Sequence, residues 1–387
     1  MNRIQITKQT CAGCSACSQI CPTNAISMVE DERGFLYPVI TENKCVDCGL
    51  CEKVCNFNSF ADEELVQTCE CYAVRHKDEE EVKTSRSGAA FMALADFVLD
   101  QNGIVFGAEF ADPKTVIHKS ENTKDGVNNF KGSKYVQSDI GCCFSECAEH
   151  LKNGKVVLFS GTPCQVHGLL SFLNNKQIAK DKLITVDIVC HGVPSRKLWR
   201  EYVAETERRH KVDIISANFR NKELFGWKDH KESFVFSDAT TKATTAWTTL
   251  FYNHVMFRES CYVCPYTTPY RDSDITIADY WGIEKNASEF DDDKGVNLLL
   301  IHTKKGQEVF HKINEKLFFR KTELFTSMQP NLQHSSEKGT NYECFWSDYR
   351  RLSTRKFFAK YFFVNNFVFF SRRVINKIKR VVRNILK

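Results

Sequence analysis

Apolar residues alternate between helical spacing and short runs through the middle of this chain. After Ser87 and Gly88, apolar residues recur every three or four positions up to Leu99, and this spacing predicts an α-helix. The other elements predicted in this part are strands at residues 104–106, 155–160, 183–189 and 274–281 and a helix at residues 164–172. Strands therefore alternate with helices.

This alternation predicts an α/β domain with a mainly parallel sheet, in a chain that is α+β overall. In such sheets, ligands bind at the carboxyl ends of the strands. Cys164 and Cys190 each follow a predicted strand, so we expect both at that edge. A further strand is predicted around residues 71–75, inside a charged segment at 59–83 that otherwise predicts a connector.

Eight of the eighteen cysteines form two runs with the spacing C-x2-C-x2-C-x3-C, and Pro22 follows the first run. This is the spacing of bacterial two-cluster ferredoxins, in which the last cysteine of each run binds the other cluster. The sequence therefore predicts two 4Fe-4S clusters, one held by Cys11, Cys14, Cys17 and Cys55 and one held by Cys45, Cys48, Cys51 and Cys21. Asn56 stands where a second proline is usual, which removes no ligand.

Two other uses of these cysteines are disfavoured. Disulfides need an oxidising compartment, and the opening residues, MNRIQITKQT, show no pattern of a secretory signal. Zinc usually takes two separated pairs of ligands rather than three cysteines in one run. Reduced cysteines and the lack of a signal pattern predict a cytoplasmic protein.

Net charge is +5 over 387 residues, but it is unevenly distributed. Residues 62–81 are rich in acids, whereas the last sixteen residues carry seven Lys or Arg and no acid. A uniformly basic surface is therefore not indicated, and we expect no nucleic-acid partner.

A second group of cysteines lies in the larger domain. Cys261 and Cys264 precede Pro265 and have the C-x2-C-P pattern of a cluster-binding loop. Cys164 lies at a predicted helix N-terminus, where free N–H groups stabilise a thiolate. A third 4Fe-4S cluster on Cys164, Cys190, Cys261 and Cys264 is one hypothesis, and ordinary buried cysteines are the alternative. We predict a structural role for the remaining cysteines, which are Cys69, Cys71, Cys142, Cys143, Cys147 and Cys344.

Five sequence blocks carry a resemblance to a known family. They are SRSGAAF (85–91), KGSKYVQS (131–138), LFSGTPCQVHGL (158–169), DIVCHGVPS (187–195) and CYVCPYTTPYRDSDITIADYWGI (261–283). With the two cysteine runs, they make the chain similar to the coenzyme F420 hydrogenase/dehydrogenase beta-subunit family. The resemblance implies an N-terminal ferredoxin module, a flavin, usually FAD, in the larger domain and a cluster beside the flavin. It thus favours the third cluster.

The resemblance also suggests which residues contact the flavin. The residues so assigned are Ser87, Gly88, Lys134, Gln137, Ser138, Thr162 and Gln165. Ser87 and Gly88 precede a helix N-terminus that suits a phosphate, with a plain helix cap as the alternative. Lys134 suits the flavin phosphate or the edge of its ring, with a surface lysine as the alternative. His191 is a candidate proton donor or a structural histidine.

Arg271, Asp274 and Asp279 either pair with one another or line the cleft. The predicted domains are the ferredoxin module at 1–58, the connector at 59–83, the flavin-binding domain at 84–350 and a tail at 351–387. The implied function is a flavin-dependent iron-sulfur oxidoreductase, whose partner is a redox protein or a small-molecule hydride carrier. A redox adaptor with no substrate of its own and a zinc-dependent interaction protein are the alternatives.

The tail combines an apolar helical stripe with a basic remainder. The apolar positions are Val374, Ile375, Ile378, Val381, Val382, Ile385 and Leu386. Such a helix suits the surface of an anionic membrane, which predicts a peripheral position on its inner face. The alternative is that the stripe packs on the chain's own core or on a second protein.

Overall fold

The computed structural model describes residues 3–55, 57 and 69–363. The chain forms two compact units, Met1–Tyr342 and Glu343–Lys387. In the described part of the chain, no helix is long and apolar enough to cross a membrane. The predicted apolar stripe of the tail lies outside the described residues.

The α-helices of the described residues are α1 (Ala16–Ile20), α2 (Leu50–Val54), α3 (Glu79–Thr84), α4 (Ala90–Leu99), α5 (Lys124–Asn128), α6 (Cys143–Lys152), α7 (Pro163–Asn175), α8 (Arg196–His210), α9 (Lys222–Phe225), α10 (Ala246–Tyr252), α11 (Ile283–Asn286), α12 (Lys304–Ile313), α13 (Leu324–Ser327), α14 (Tyr342–Arg351) and α15 (Thr354–Tyr361).

The strands are β1 (Ile26–Glu30), β2 (Leu36–Ile40), β3 (Glu70–His76), β4 (Ile104–Asp112), β5 (Thr115–Glu121), β6 (Val157–Gly161), β7 (Leu183–Ile188), β8 (Ile214–Asn218), β9 (Glu232–Phe236), β10 (Thr241–Thr244), β11 (Ile275–Asp279), β12 (Asn297–Ile301) and β13 (Leu317–Thr322).

Eight strands form the main sheet in the order β13-β3-β12-β11-β7-β6-β4-β5. The adjacent strands β11, β7, β6 and β4 are parallel, and β3 runs in their direction because β12 is antiparallel to both β11 and β3. Five of the eight strands thus share one direction, and the α/β class is confirmed. β1 pairs with β2, and β8 to β10 form a separate three-stranded sheet.

Helices cover both faces of the main sheet. On one face, Leu94 and Val98 of α4 pack with Phe310 of α12. On the other face, the ferredoxin helices join the core, since Ile20 of α1 and Val54 of α2 pack in one cluster with residues of α6 and α7. Strands covered on both sides are mostly apolar, and in β12, whose five residues are all buried, four apolar residues follow Asn297.

The predicted elements of the larger domain are present with shifted ends. The helix at 164–172 is α7, which begins at Pro163 after the N-cap Thr162. The Gln165 side chain accepts the Thr162 backbone N–H at 2.9 Å, which closes a capping box. The strand expected at 71–75 is β3, which pairs with β12 and β13 inside the main sheet. That part of the predicted connector therefore belongs to the larger sheet, and the domain limits stay predictions.

Candidate redox site

Two short helices position cysteines of the N-terminal runs. Cys17 lies in the first turn of α1 and Cys21 caps its C-terminal end. Cys51 and Cys55 occupy equivalent places on α2. Residues four apart in an α-helix are about 6 Å apart along the axis. Each helix therefore presents one cysteine to each of two neighbouring cavities.

The cavity farther from the larger domain's cysteines is called here the outer cysteine cavity. It is lined by Cys21, Cys45, Cys48 and Cys51. The backbone N–H of Ala25 donates to Cys21 Sγ at 3.3 Å, and that of Ile4 donates to Cys51 Sγ at 3.4 Å. Cys48 is exposed to solvent. These are the four cysteines predicted for one cluster.

The middle cysteine cavity is lined by Cys11, Cys14, Cys17 and Cys55. These are the cysteines predicted for the other ferredoxin cluster. Burial raises the pKa of the Cys14 thiol to about 12. Cys164 and Tyr266 of the larger domain also line this cavity, so it lies where the ferredoxin module meets that domain.

The inner cysteine cavity is lined by Cys164, Cys190, Cys261 and Cys264. Cys164 lies in the first turn of α7, Cys190 follows β7, and Cys261 lies in the 3-10 helix Glu259–Val263. The Val193 N–H donates to Cys261 Sγ at 3.4 Å. The four cysteines of the third-cluster hypothesis are thus brought together from three distant parts of the chain.

Burial also governs the acidity of these thiols. The pKa of Cys261 and that of Cys264 are raised to about 12, and the pKa of Cys190 is raised as well. Without a bound group the thiols are therefore protonated at neutral pH. Because iron binds thiolates, loading a cluster here must release protons. Within the described residues, no three His, Cys, Asp or Glu side chains are arranged to hold a single metal ion.

The other six cysteines line none of these three cavities. Cys71, Cys143 and Cys147 are buried in the core, as a structural role requires. Cys142 and Cys344 are exposed instead. Core packing therefore does not explain why Cys142 and Cys344 are cysteines.

A larger cavity of about 290 Å³ opens at the carboxyl ends of β6, β7 and β11. We call it the central cavity. It shares Cys190, His191, Gly192 and Val193 with the inner cysteine cavity. The inner cavity in turn shares Ala12, Phe57, Cys164 and Tyr266 with the middle one. The four cavities therefore follow one another from the exposed Cys48 to the edge of the main sheet.

Most residues expected to contact a flavin line the central cavity. They are Ser87, Lys134, Ser138, Thr162 and Gln165, and His191 lines it as well. Gln137 does not, because its amide donates to the Ala12 carbonyl on the ferredoxin side at 2.9 Å. Gly88 does not either: a Cβ there would lie 2.4 Å from the Val74 carbonyl oxygen, so this glycine permits close packing against β3.

A hydrogen-bond chain runs along one wall of the central cavity. Thr162 donates to Gln165 Oε1 at 3.0 Å, and the Gln165 amide donates to Ser138 Oγ at 3.0 Å. Ser138 Oγ lies 2.8 Å from His118 Nδ1, and His118 Nε2 lies 2.9 Å from the Ser160 carbonyl oxygen. Because the carbonyl accepts from Nε2, Nδ1 accepts the Ser138 hydroxyl proton. Thr162 Oγ1 also lies 3.2 Å from Cys164 Sγ, which joins this wall to the inner cavity.

Burial shifts the pKa values of the titratable groups of this cavity. The pKa of Lys134 falls to about 7, and its ammonium donates to the carbonyls of Asn129 and Lys131 at 2.9 and 2.8 Å. The pKa of His118 and that of His191 fall to about 4, so both imidazoles are neutral near pH 7. His191 is surrounded by aromatic rings, and as a neutral imidazole it holds a single proton.

Several cavity residues were not identified from the sequence. Arg220 pairs with Asp279, and its guanidinium lies 3.3 Å from the Tyr135 hydroxyl. Arg86 donates to the Trp227 carbonyl. Arg86 belongs to the block SRSGAAF but was not among the residues assigned to the flavin, and Arg220 belongs to none of the five blocks; each reaches the cavity through tertiary contacts.

The three ionisable residues left open by the sequence do not pair with one another. Arg271 pairs with the buried Asp187 at 3.1 Å. Asp274 accepts the Thr185 backbone N–H at 2.9 Å. Asp279 alone lines the central cavity.

Unpartnered polar atoms test whether a flavin fits the central cavity. Among the described residues, Ser85 Oγ, Arg86 Nε and Arg220 Nε are buried without a hydrogen-bond partner. Two cations and a hydroxyl with free donors suit a phosphate. Tyr135 and Phe251 stack at 4.3 Å between ring centroids and provide an aromatic wall for a planar ring. The donor set and the wall fit a flavin.

Comparison with known proteins agrees with this architecture. Residues 10–59 match the 4Fe-4S dicluster domain, and residues 154–324 match the C terminus of the coenzyme F420 hydrogenase/dehydrogenase beta subunit. No curated protein matches the chain. One similar solved structure is a chain of the F420-reducing NiFe hydrogenase complex from Methanosarcina barkeri, with 18% identity over 65% of this chain and 81% of that chain and a TM-score of 0.45. The chain thus carries a 4Fe-4S dicluster domain followed by the C-terminal domain of the coenzyme F420 hydrogenase/dehydrogenase beta subunit, the two domains that the resemblance implies.

Proposed function

We propose that this chain is an iron-sulfur flavoprotein oxidoreductase. In this proposal, FAD occupies the central cavity, and each of the three cysteine cavities holds one 4Fe-4S cluster. The bound groups would supply the exchange between two-electron hydride transfer and single-electron transfer. The proposal rests on one observation: the inner cysteine cavity and the central cavity adjoin each other, because Cys190 lines both.

The chain's own residues would bind and orient these groups. Lys134, Arg86 and Arg220 would place positive charge around an anionic cofactor, and Tyr135 would support its ring. Thr162, whose hydroxyl lies near Cys164 Sγ, would order the wall between flavin and cluster. His191 would keep a neutral imidazole at the same boundary, where it holds one proton.

We further propose where partners act. The exposed Cys48 supports electron exchange with a redox partner protein at the outer cysteine cavity. The open central cavity supports a small-molecule hydride carrier as substrate. The cytoplasmic location and the membrane-surface role of the tail remain predictions of the sequence.

Anaerobic purification of the full chain, followed by iron, sulfide and flavin quantitation and an absorbance spectrum, tests the proposal. We expect about twelve irons, at four per cluster, and one flavin per chain. Iron without flavin, even after incubation with FAD and FMN, would instead favour the electron-transfer adaptor. Zinc in place of iron and sulfide would contradict both functions.

A further inference from the structure

Arg258 is a fully buried cation beside the middle cysteine cavity. Its Nη2 donates to Cys11 Sγ at 3.3 Å and to the Leu36 carbonyl at 2.8 Å. Its Nε donates to the Cys11 carbonyl at 2.6 Å, and its Nη1 lies 3.3 Å from Gln137 Oε1. The guanidinium also lies 4.1 Å from the centroid of the Tyr37 ring. A charged group thus contacts a proposed cluster ligand directly.

Among the described residues, no Asp or Glu side chain forms an ion pair with the Arg258 guanidinium, and the adjacent Glu259 pairs with Arg33 instead. A buried cation without a counter-charge is costly, so an anion is expected beside it. A cube held by four thiolates carries net negative charge and would provide that anion at the middle cysteine cavity.

The other proposed clusters have different surroundings. Arg271 is also buried, near the inner cysteine cavity, but Asp187 neutralises it at 3.1 Å. At the outer cysteine cavity, backbone N–H groups donate to Cys21 and Cys51. Among the described sulfur contacts, that of Arg258 is the one made by a charged donor. The middle site therefore differs from the others by a direct hydrogen bond from a charged side chain to a proposed cluster ligand.

The ferredoxin loop is shaped to admit this guanidinium. Gly13, within the first cysteine run, has φ +70°, and a Cβ there would lie 2.8 Å from Arg258 Nη1. Gln137 completes the surroundings by donating to the Ala12 carbonyl at 2.9 Å. The backbone of Arg258 contributes to the inner site, since its N–H donates to the Val193 carbonyl at 3.0 Å.

We propose that Arg258 raises the reduction potential of the middle cluster. Reduction adds one electron, and therefore one negative charge, to the cluster. A cation bonded to Cys11 Sγ stabilises the reduced form more than the oxidised form, which raises the potential. This inference rests on the proposed function, because it requires clusters in the cysteine cavities.

The test is an EPR-monitored redox titration of the anaerobic full chain. A Cys261→Ser, Cys264→Ser background removes the inner signal, and Cys48→Ser identifies the outer one, which leaves the middle signal assigned. Arg258→Gln should lower the equilibrium constant for reduction of the middle cluster at least about tenfold, which is about 59 mV for one electron. Arg258→Lys, which keeps the charge, should shift it less.

Gln137→Glu provides an independent variant that leaves Arg258 in place. The new carboxylate would face Arg258 Nη1 and neutralise it, so the middle potential should again fall. Arg200→Gln is the matched control, because it also replaces an arginine of the larger domain and this arginine pairs with Glu30 on β1. The control should leave all three potentials unchanged.

The measured potentials of these variants support or overturn the role of Arg258. An unchanged middle potential in both Arg258→Gln and Gln137→Glu, or an equal shift in Arg200→Gln, overturns the inference while the clusters remain. If Arg258→Gln fails to retain iron, the result of Gln137→Glu decides alone. If the unmodified chain holds no iron and sulfide, the proposed function fails, and this inference fails with it.

Discussion

Replacing two cysteines of the inner cysteine cavity should remove one cluster from the chain and leave the other two in place. Cys261→Ser with Cys264→Ser deletes two of the four thiols that line this cavity. The cysteines of the middle and outer cavities are all retained. Two remaining thiols cannot hold a cube that needs four ligands, so this cluster should be lost while the others stay.

The magnitude follows from the three cavities. With four irons per cluster, iron should fall from about twelve to about eight per chain, and acid-labile sulfide should fall by the same third. Flavin content should stay close to that of the unmodified chain, because the residues proposed to bind it lie elsewhere in the central cavity. Reduction of the outer cluster by way of the flavin should slow strongly, because the inner cavity lies between them.

The assay is iron and sulfide quantitation on anaerobically purified protein, with flavin measured after release. Cys142→Ser with Cys344→Ser is the matched control, because it also removes two thiols, both exposed, from outside the three cavities. The control should keep about twelve irons. Unchanged iron in the Cys261, Cys264 variant, or an equal loss in the control, would refute the assignment of the inner cluster.

Three further predictions follow from burial and charge. Burial lowers the pKa of Lys134 to about 7, so above that pH an anionic flavin must recruit a proton on binding, and its affinity should fall by up to about tenfold per pH unit. Asp187→Asn leaves Arg271 buried without its counter-charge and should lower the free energy of unfolding by about 3–5 kcal/mol in urea denaturation. Truncation after Phe363 should abolish salt-sensitive binding to anionic vesicles while iron and flavin contents stay unchanged.

Each of these predictions has its own control. Lys134→Met should bind flavin more weakly and with no pH dependence between pH 6.5 and about 8.5, and a retained slope would assign the titration to another group. Asp229→Asn, in the half-exposed pair with Lys231, should change stability by less than about 1 kcal/mol. Full-length chain that ignores anionic vesicles at low salt would make the tail a packing or partner element.

The two N-terminal cysteine groups were predictable because cluster ligands obey local spacing rules, whereas no spacing rule joins the distant cysteines of the inner cavity. In each N-terminal run, the third and fourth cysteines lie at the two ends of one short helix, α1 or α2, and this follows from their spacing of four residues. The capping box of Thr162 and Gln165 likewise marks the start of α7. The order of strands in the main sheet could not be predicted from the sequence. β3 pairs with β12 and β13, which lie more than two hundred residues later, and single-strand patterns carry no information about such partners.

The sequence also could not show which way individual side chains face. Gln137 and Ser138 are neighbours in one sequence block, yet Ser138 lines the central cavity and Gln137 bonds to the ferredoxin loop. Arg220 and Arg258 belong to no motif that predicts a buried cation. Their positions follow from tertiary packing, so the sequence could group the cysteines that line the three cavities but could not locate the charged side chains beside them.

The exposure of Cys48 also bears on how the protein would behave in air. Cys48 of the outer cysteine cavity is exposed, whereas Cys11 and Cys17 of the middle cysteine cavity are buried. In the proposed arrangement, oxygen would therefore reach the outer cluster before the middle one. Protein handled aerobically should lose iron from the outer cavity first, and an iron count of about eight from such a sample would describe damage at the periphery rather than a two-cluster protein.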